Sequence, residues 1–310
     1  MDKLQLIAEI KKISKQKNAV IMAHYYQEND IQDVADFIGD SLALAQKAAT
    51  TTADIIVICG VHFMGETAKI ICPNKKVLVP DLNAGCSLAD SCKAKDLKQF
   101  IQQHPDHTVI SYVNTSAEVK ALTDIVVTST NAKNIVDMLP KDTKIIFGPD
   151  RNLGNYINNV TGRNMLLWNG ACHVHEQFSV NKLVEIKKQY PNAKVLAHPE
   201  CKQSIIELAD VVGSTQALLN YATKSDENTF IVATECGILH EMTKQNPNKT
   251  FIPLPTEDNN SKCNECNYMR MNTLEKLYDC LLNETNEIIV DEEIRKKAVL
   301  CINKMLEMSK

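Results

Sequence analysis

Three stretches that follow a short apolar run end in cysteine: PDLNAGC at Cys86, WNGAC at Cys172, and a longer polar loop, TEDNNSKCNEC, at Cys263 or Cys266. Thiolates brought together from remote segments are metal ligands. Zinc takes four ligands in structural sites and three, with an open position, in catalytic ones. Three thiolates also suit a [4Fe-4S] cluster whose fourth iron stays free to hold a substrate oxygen. One CxxC is weak evidence for either, and no second one completes a zinc ribbon. Spacing alone leaves Cys263 and Cys266 equally placed as the third ligand. The thiol left over is suited to a disulfide with its neighbour under oxidation.

A second set of reactive groups also comes in threes. His24-Tyr25-Tyr26, Tyr112-Val113-Asn114 and His198-Pro199-Glu200 each follow an apolar, β-branched run. Residues two apart on a strand point the same way. His24 with Tyr26, Tyr112 with Asn114, and His198 with Glu200 are therefore three pairs of polar groups at equivalent places. A third set consists of hydroxyl and carboxyl groups before helical segments: Asp40-Ser41, Thr128-Ser129 and Ser214-Thr215. Such residues cap helices, and a helix start offers free N–H groups and partial positive charge to an anion.

The elements that must position these groups are visible as an internal repeat. ADFIGDSLAL at 35–44 returns as ADVVGSTQAL at 209–218, with a weaker echo, TDIVVTSTNA, at 123–132. The aspartates of the phrase, Asp36, Asp124 and Asp210, lie 88 and 86 residues apart. Twelve residues before each, a buried strand ends at His24, Tyr112 and His198. Twenty-four residues after each, another ends at Gly60, Gly148 and Thr234, and a third follows (KKVLVP, NMLLW, KTFIPLP). Each third reads strand, helix, strand, helix, strand: a small doubly wound α/β subdomain with a parallel sheet. We expect subdomains at 1–106, 107–191 and 192–310, related by a pseudo-threefold axis around a central site. The segment from Cys280 to Lys310 is read as outer helices closing the three. Ligands in such sheets gather beyond the carboxyl ends of the strands, where all three sets of residues fall.

The bulk composition narrows the classes of function. Apolar residues make up 44% of the 310 and the net charge is −4, which gives no general attraction to nucleic acid or anionic membrane. No apolar run reaches the ~20 residues that span a bilayer. MDKLQLIAEIKKISKQ reads as an amphipathic helix rather than a signal peptide, so a cytoplasmic protein is expected. Eleven cysteines, odd in number and scattered, argue against a secreted disulfide framework. Cys59, Cys72, Cys92, Cys201, Cys236, Cys280 and Cys301 are read as structural thiols. There is no GxGxxG after a strand and no GxxxxGK[ST], which argues against a nicotinamide cofactor or a nucleoside triphosphate.

The motifs AHYYQ, GDSLALA, GVHFMGETAKI, PDLNAGCSLAD, YVNTSAEVKA, TSTNA, GACHVHE, AHPEC, GSTQ and CNECNYMRMNTLEKL together resemble the quinolinate synthase (NadA) family, in order and over most of the chain. The resemblance implies three subdomains and a [4Fe-4S] cluster held by Cys86, Cys172 and Cys266, with one open iron. It chooses Cys266 over Cys263, although Asn267 stands where the family commonly has proline. It implies condensation of iminoaspartate with dihydroxyacetone phosphate to quinolinate, in NAD biosynthesis. L-aspartate oxidase or dehydrogenase, which supply the imine, are the partner proteins it suggests. Family site residues map onto His24, Tyr26, Asp40 or Ser41, Tyr112, Asn114, Ser129, Thr130, His198, Glu200, Ser214 and Thr215.

In that setting Glu200 is the expected general base, a carboxyl tuned toward neutral pH. His198 and His24 orient or protonate oxygens, Tyr112 and Tyr26 hydrogen-bond them, and Asn114 fixes a carboxylate. His175, near Cys172, is a supporting group, and Glu66 an acidic helix start. A zinc-dependent lyase on the same thiolates and a non-catalytic cluster sensor are the alternatives; iron content and turnover distinguish them.

Overall fold

A computed structural model describes residues 1–257 and 264–310. It contains three parallel four-stranded sheets. The first holds β1 (Ala19–His24), β2 (Phe37–Gly39), β3 (Ile55–Cys59) and β4 (Lys76–Leu78). The second holds β5 (Thr108–Tyr112), β6 (Ile125–Val127), β7 (Ile145–Gly148) and β8 (Leu166–Leu167). The third holds β9 (Lys194–Ala197), β10 (Val211–Val212), β11 (Thr229–Ala233) and β12 (Thr250–Pro253). All three share one order, second-first-third-fourth, so the chain crosses over helices between neighbours. The expected α/β fold in three similar subdomains is therefore present.

Each sheet has one strand more than the sequence pattern suggests. The extra strand lies inside the repeated phrase, as FIG, IVV and VV. Two or three apolar residues are too short to show a period. The aspartate before each is what seats it. Asp36, Asp124 and Asp210 accept the N–H of Ile21, Val109 and Val195, each at 2.8 Å. Their own N–H groups donate back to those residues' carbonyls. The repeated aspartate thus starts the ladder between the edge strand and the central strand, three times over.

Both faces of the first and third sheets are buried. On the first, Ile21, Ala23, Val57 and Cys59 pack under the helices Lys3–Gln16 and Leu274–Asn283, while Met22, Ile56 and Ile58 face the other way. Strands buried on two sides read as continuous apolar runs. The first helix is capped by Asp2, whose side chain and that of Gln5 satisfy each other's backbone N–H. The last helix, Glu292–Met308, packs chiefly on the helices His62–Ile71 and Ala117–Lys120 and on β6, and so clasps the first two sheets together. Cys59, Cys72, Cys92, Cys201, Cys280 and Cys301 are buried, as expected of structural thiols, and Cys236 is partly buried. Cys263 lies outside the described residues. Among those described, no helix is long and apolar enough to cross a membrane.

Candidate active site

The carboxyl ends of the central strands β1, β5 and β9 meet at one cavity. His24, Tyr26, Tyr112, Asn114, His198 and Glu200 all line it, as do Asp40, Ser41, Ser129, Thr215 and the cysteines Cys86, Cys172 and Cys266. Two expected residues do not reach it. Ser214 caps the helix Thr215–Lys224 through the Ala217 N–H. Thr130 instead donates its hydroxyl to Asp40 Oδ2 at 2.7 Å. Asp40 Oδ1 caps the helix Ser41–Thr50, so both oxygens of that carboxylate are engaged.

The second subdomain departs from the expected pattern of helix starts. Its helix begins at Ala132, not directly after Thr128-Ser129. Asn131 Oδ1 takes the Thr128 N–H at 2.7 Å and folds those residues into a turn first.

The three cysteine loops are built alike. In each, a backbone N–H just after the third strand donates to the carbonyl two residues before the cysteine. The pairs are His62 to Ala84 (2.7 Å), Arg151 to Gly170 (2.7 Å) and Cys236 to Asn264 (3.3 Å). Each cysteine then opens a helical turn, its carbonyl accepting from Asp90, Glu176 and Arg270 respectively, always four residues on. This register places Cys266 as the counterpart of Cys86 and Cys172, a choice that spacing along the sequence left open. Burial raises all three thiols, Cys86 to about 12, while nearby backbone N–H groups of the following turn pull the other way. The negative charge of Cys266 adds to the rise at Cys86, and that of Cys86 to the rise at Cys172. Such thiols become thiolates together when a cation sits among them. The donor set therefore fits a metal centre.

Around Glu200 the polar groups form one network. Tyr112 donates its hydroxyl to Glu200 Oε1 at 2.6 Å. His175 Nδ1 lies 3.2 Å from Glu200 Oε2 and 3.2 Å from Cys172 Sγ. His175 Nε2 meets the Thr234 hydroxyl at 2.9 Å, Thr234 meets Tyr26 at 2.7 Å, and Tyr26 meets Thr215 at 2.8 Å. The chain of contacts thus runs from Glu200 to Tyr26 through all three subdomains. The His198 ring stacks on His175 with centroids 4.7 Å apart, and its Nε2 reaches Ser129 at 3.2 Å.

Burial holds both His24 and His198 down to about 3, so each is neutral near pH 7. Burial works to raise Glu200, but His175, His198 and the Tyr112 hydroxyl hold it below the ordinary carboxylate range. The expected shift of Glu200 toward neutrality is thus not found, because the donors around it outweigh desolvation. Burial does raise Asp150, Glu235 and Glu66 above the ordinary carboxylate range, against the N–H groups that each accepts. Asn114 Oδ1 is buried without a partner and is free to accept from a ligand.

Sequence reasoning missed Glu235, His173, Tyr268 and Met269, all on the cavity wall. It underrated His175, the hub of the network. The signal was available: Glu235 stands two residues after β11, and His173 and His175 sit in the turn opened by Cys172. Glu66 is buried and accepts the Ala117 N–H at 3.1 Å, which ties the first subdomain to the second. Donor atoms of Cys172, His175 and Glu200 lie within 4.8 Å of one another, close enough to share a metal ion.

A family model described as quinolinate synthetase A protein, NadA, matches residues 8–307. A protein of Microcystis aeruginosa named quinolinate synthase is 59% identical over 98% of this chain and 95% of its own. One of the same name from Chloroherpeton thalassium is 56% identical over 100% and 96%. Another from Thermosynechococcus vestitus is 57% identical over 99% and 96%.

Proposed function

The chain belongs to the NadA family of quinolinate synthases, and on that premise we propose that its cavity condenses iminoaspartate with dihydroxyacetone phosphate. The products are quinolinate, phosphate and water, and the step serves NAD biosynthesis. Cys86, Cys172 and Cys266 would hold a [4Fe-4S] cluster with one open iron. When bound, that cluster supplies a Lewis acid for a substrate oxygen, and the overall reaction needs no net oxidation.

The chain's own residues have three tasks. Both substrates are anionic, yet among the described residues no lysine or arginine lines the cavity. The helix start at Ser41 and the hydroxyls of Ser129 and Thr215 are suited to carry carboxylate and phosphate groups. Glu200 is ionised and moves a proton during triose isomerisation, with Tyr112 holding Oε1 and His175 holding Oε2. Neutral His24 and His198 orient substrate oxygens without adding charge. Asn114 Oδ1 accepts from a substrate N–H or hydroxyl. L-aspartate oxidase or dehydrogenase is the expected source of the imine, and the cytoplasm the expected compartment.

The observation that carries this reading is convergence: three pairs of polar residues and three cysteines, from three subdomains, line one cavity. A zinc site on Cys172, His175 and Glu200 is the second reading, favoured by their mutual distance. The deciding experiment is anaerobic purification with iron and sulfide analysis, coupled to quinolinate formation. Iron and sulfide with turnover, both reduced by Cys→Ser at any of the three positions, are expected. Glu200→Gln should abolish turnover and leave the iron in place. Zinc without iron would overturn the cluster reading.

A further inference from the structure

Two of the three cysteine loops carry a tie that the third lacks. Asp150 is fully buried and accepts three backbone N–H groups, from Cys172 at 2.7 Å on Oδ2 and from Asn152 and Leu153 at 2.6 and 3.0 Å on Oδ1. Glu235 is fully buried too. Its Oε1 accepts the Cys266 N–H at 3.1 Å and Arg270 Nη2 at 2.8 Å, and its Oε2 accepts the Gly237 N–H at 2.7 Å. Both residues follow the third strand of their sheet, β7 and β11. In the first subdomain the matching stretch after β3 is Gly60-Val61-His62, which has no carboxyl. Among the described residues no carboxylate holds the Cys86 N–H. A surface pocket of about 450 Å³, lined in part by Cys86, Gly85 and Phe63, opens beside that cysteine.

We propose that Asp150 and Glu235 are positioning residues for the metal-ligating cysteines, each a buried carboxylate that fixes one cysteine's backbone and aims its sulfur at the shared centre. Cys86, held by backbone alone, is the labile corner. The inference rests on the proposed ligand set. The chemistry demands an acid at both places. Each group takes N–H donors on both oxygens, and only a carboxylate accepts on both. An amide in its place turns an NH2 toward a donor and leaves one buried N–H unpaired, which frees that loop.

The test uses the full chain and the variants Asp150→Asn and Glu235→Gln. Under anaerobic conditions, metal-free protein is pulsed with iodoacetamide and alkylation is followed at each cysteine by mass spectrometry. In the parent chain Cys86 is expected to react first. Asp150→Asn should speed Cys172 by roughly ten-fold or more and leave Cys266 unchanged; Glu235→Gln should do the reverse. After reconstitution with iron and sulfide, each variant should lose iron to a chelator faster and show an altered EPR signal on reduction. Unchanged rates at Cys172 and Cys266 would overturn the proposal. So would equal acceleration at every cysteine including buried Cys59, which means general loosening, or a parent chain in which Cys172 or Cys266 outruns Cys86. The alkylation arm needs no cluster. Failure to take up iron therefore counts against the cluster reading, and failure of residue-specific alkylation against this one.

Discussion

Gly237→Ala tests how the third subdomain holds the first at the site. Gly237 has φ −56° and ψ −28° at the start of the helix Ile238–Gln245, a conformation any residue adopts. Its backbone conformation therefore sets no barrier to alanine. The tertiary contact does. A Cβ at Gly237 would lie 2.8 Å from the Tyr25 carbonyl oxygen and 2.8 Å from both C and Cα of Tyr26. These are backbone atoms, and neither side can easily retreat. The Gly237 N–H is tied to Glu235 at 2.7 Å, and its carbonyl takes Gln32 Nε2 at 2.9 Å, which also holds the Tyr25 and Gln27 carbonyls. Restoring ordinary contact requires a shift of about half an ångström or more in the backbone that presents Tyr26. Overpacking of this kind costs about 1–3 kcal/mol, or a fall of roughly 2–8 °C in Tm. Displacing Tyr26 should cost kcat more, on the order of ten- to a hundred-fold. Anaerobic quinolinate assays and thermal melts read both. Gly162→Ala is the control: its φ is +67° and no atom crowds its Cβ. It should lose about 1 kcal/mol through backbone strain and keep full kcat. A Gly237→Ala protein with the parent's kcat and Tm would refute the reasoning.

Asp124→Ala removes the acceptor of the Val109 N–H and should cost about 1 kcal/mol in urea unfolding with KM unchanged; a raised KM at full stability would mean that the repeated aspartate binds substrate instead. Alkaline pH should destabilise the chain. Burial pushes Cys92, Cys280 and Cys301 up from 9.0 to about 12, and Cys59 higher still. A raised folded pKa contributes stability that is complete below the unfolded pKa and is lost above it, at about 1.4 kcal/mol per pH unit for each thiol. Burial lowers Lys120 to about 8 against an ordinary 10.5, which works the opposite way across that window. Four such thiols outweigh one ammonium, and Cys86, Cys172, Cys201 and Cys266, raised by burial too, add to them, for a net loss of at least roughly 3 kcal/mol per pH unit between pH 9 and 10.5. Urea midpoints in reductant at pH 9 and 10 check this, and a midpoint that stays level or rises would contradict it.

Much of the fold was legible because its signals are local. The runs ending at His24, Tyr112 and Ala197 are apolar and β-branched, and they stand at nearly constant distances from a repeated aspartate. What the pattern concealed was the edge strand inside the repeat itself. Two or three residues carry no period, and β2, β6 and β10 exist through pairing with a central strand and a shared aspartate contact. The helix start expected at Ser129 failed for a related reason, because the Asn131 side chain captured the Thr128 N–H before the helix began.

At the site, residue type and register alone determined which groups stand at strand ends: three cysteines, two histidines, two tyrosines, an asparagine and a glutamate. They could do so because a parallel α/β repeat puts its chain exits on one side wherever it occurs. Only the tertiary structure decided which of those groups touch. Glu200 stays ionised because Tyr112, 88 residues away, donates to it, and because the His175 ring stands at its other oxygen. Cys266 falls in register with Cys86 and Cys172 because the Asn264 carbonyl receives the Cys236 N–H. Asp150 and Glu235 stand just after strands that the sequence shows, but nothing in their local sequence separates a solvated acid from one buried beneath a cysteine amide. Burial, donor count and distance belong to the closed chain. They set the charge on each group, and a linear pattern fixes only where along the chain each group stands.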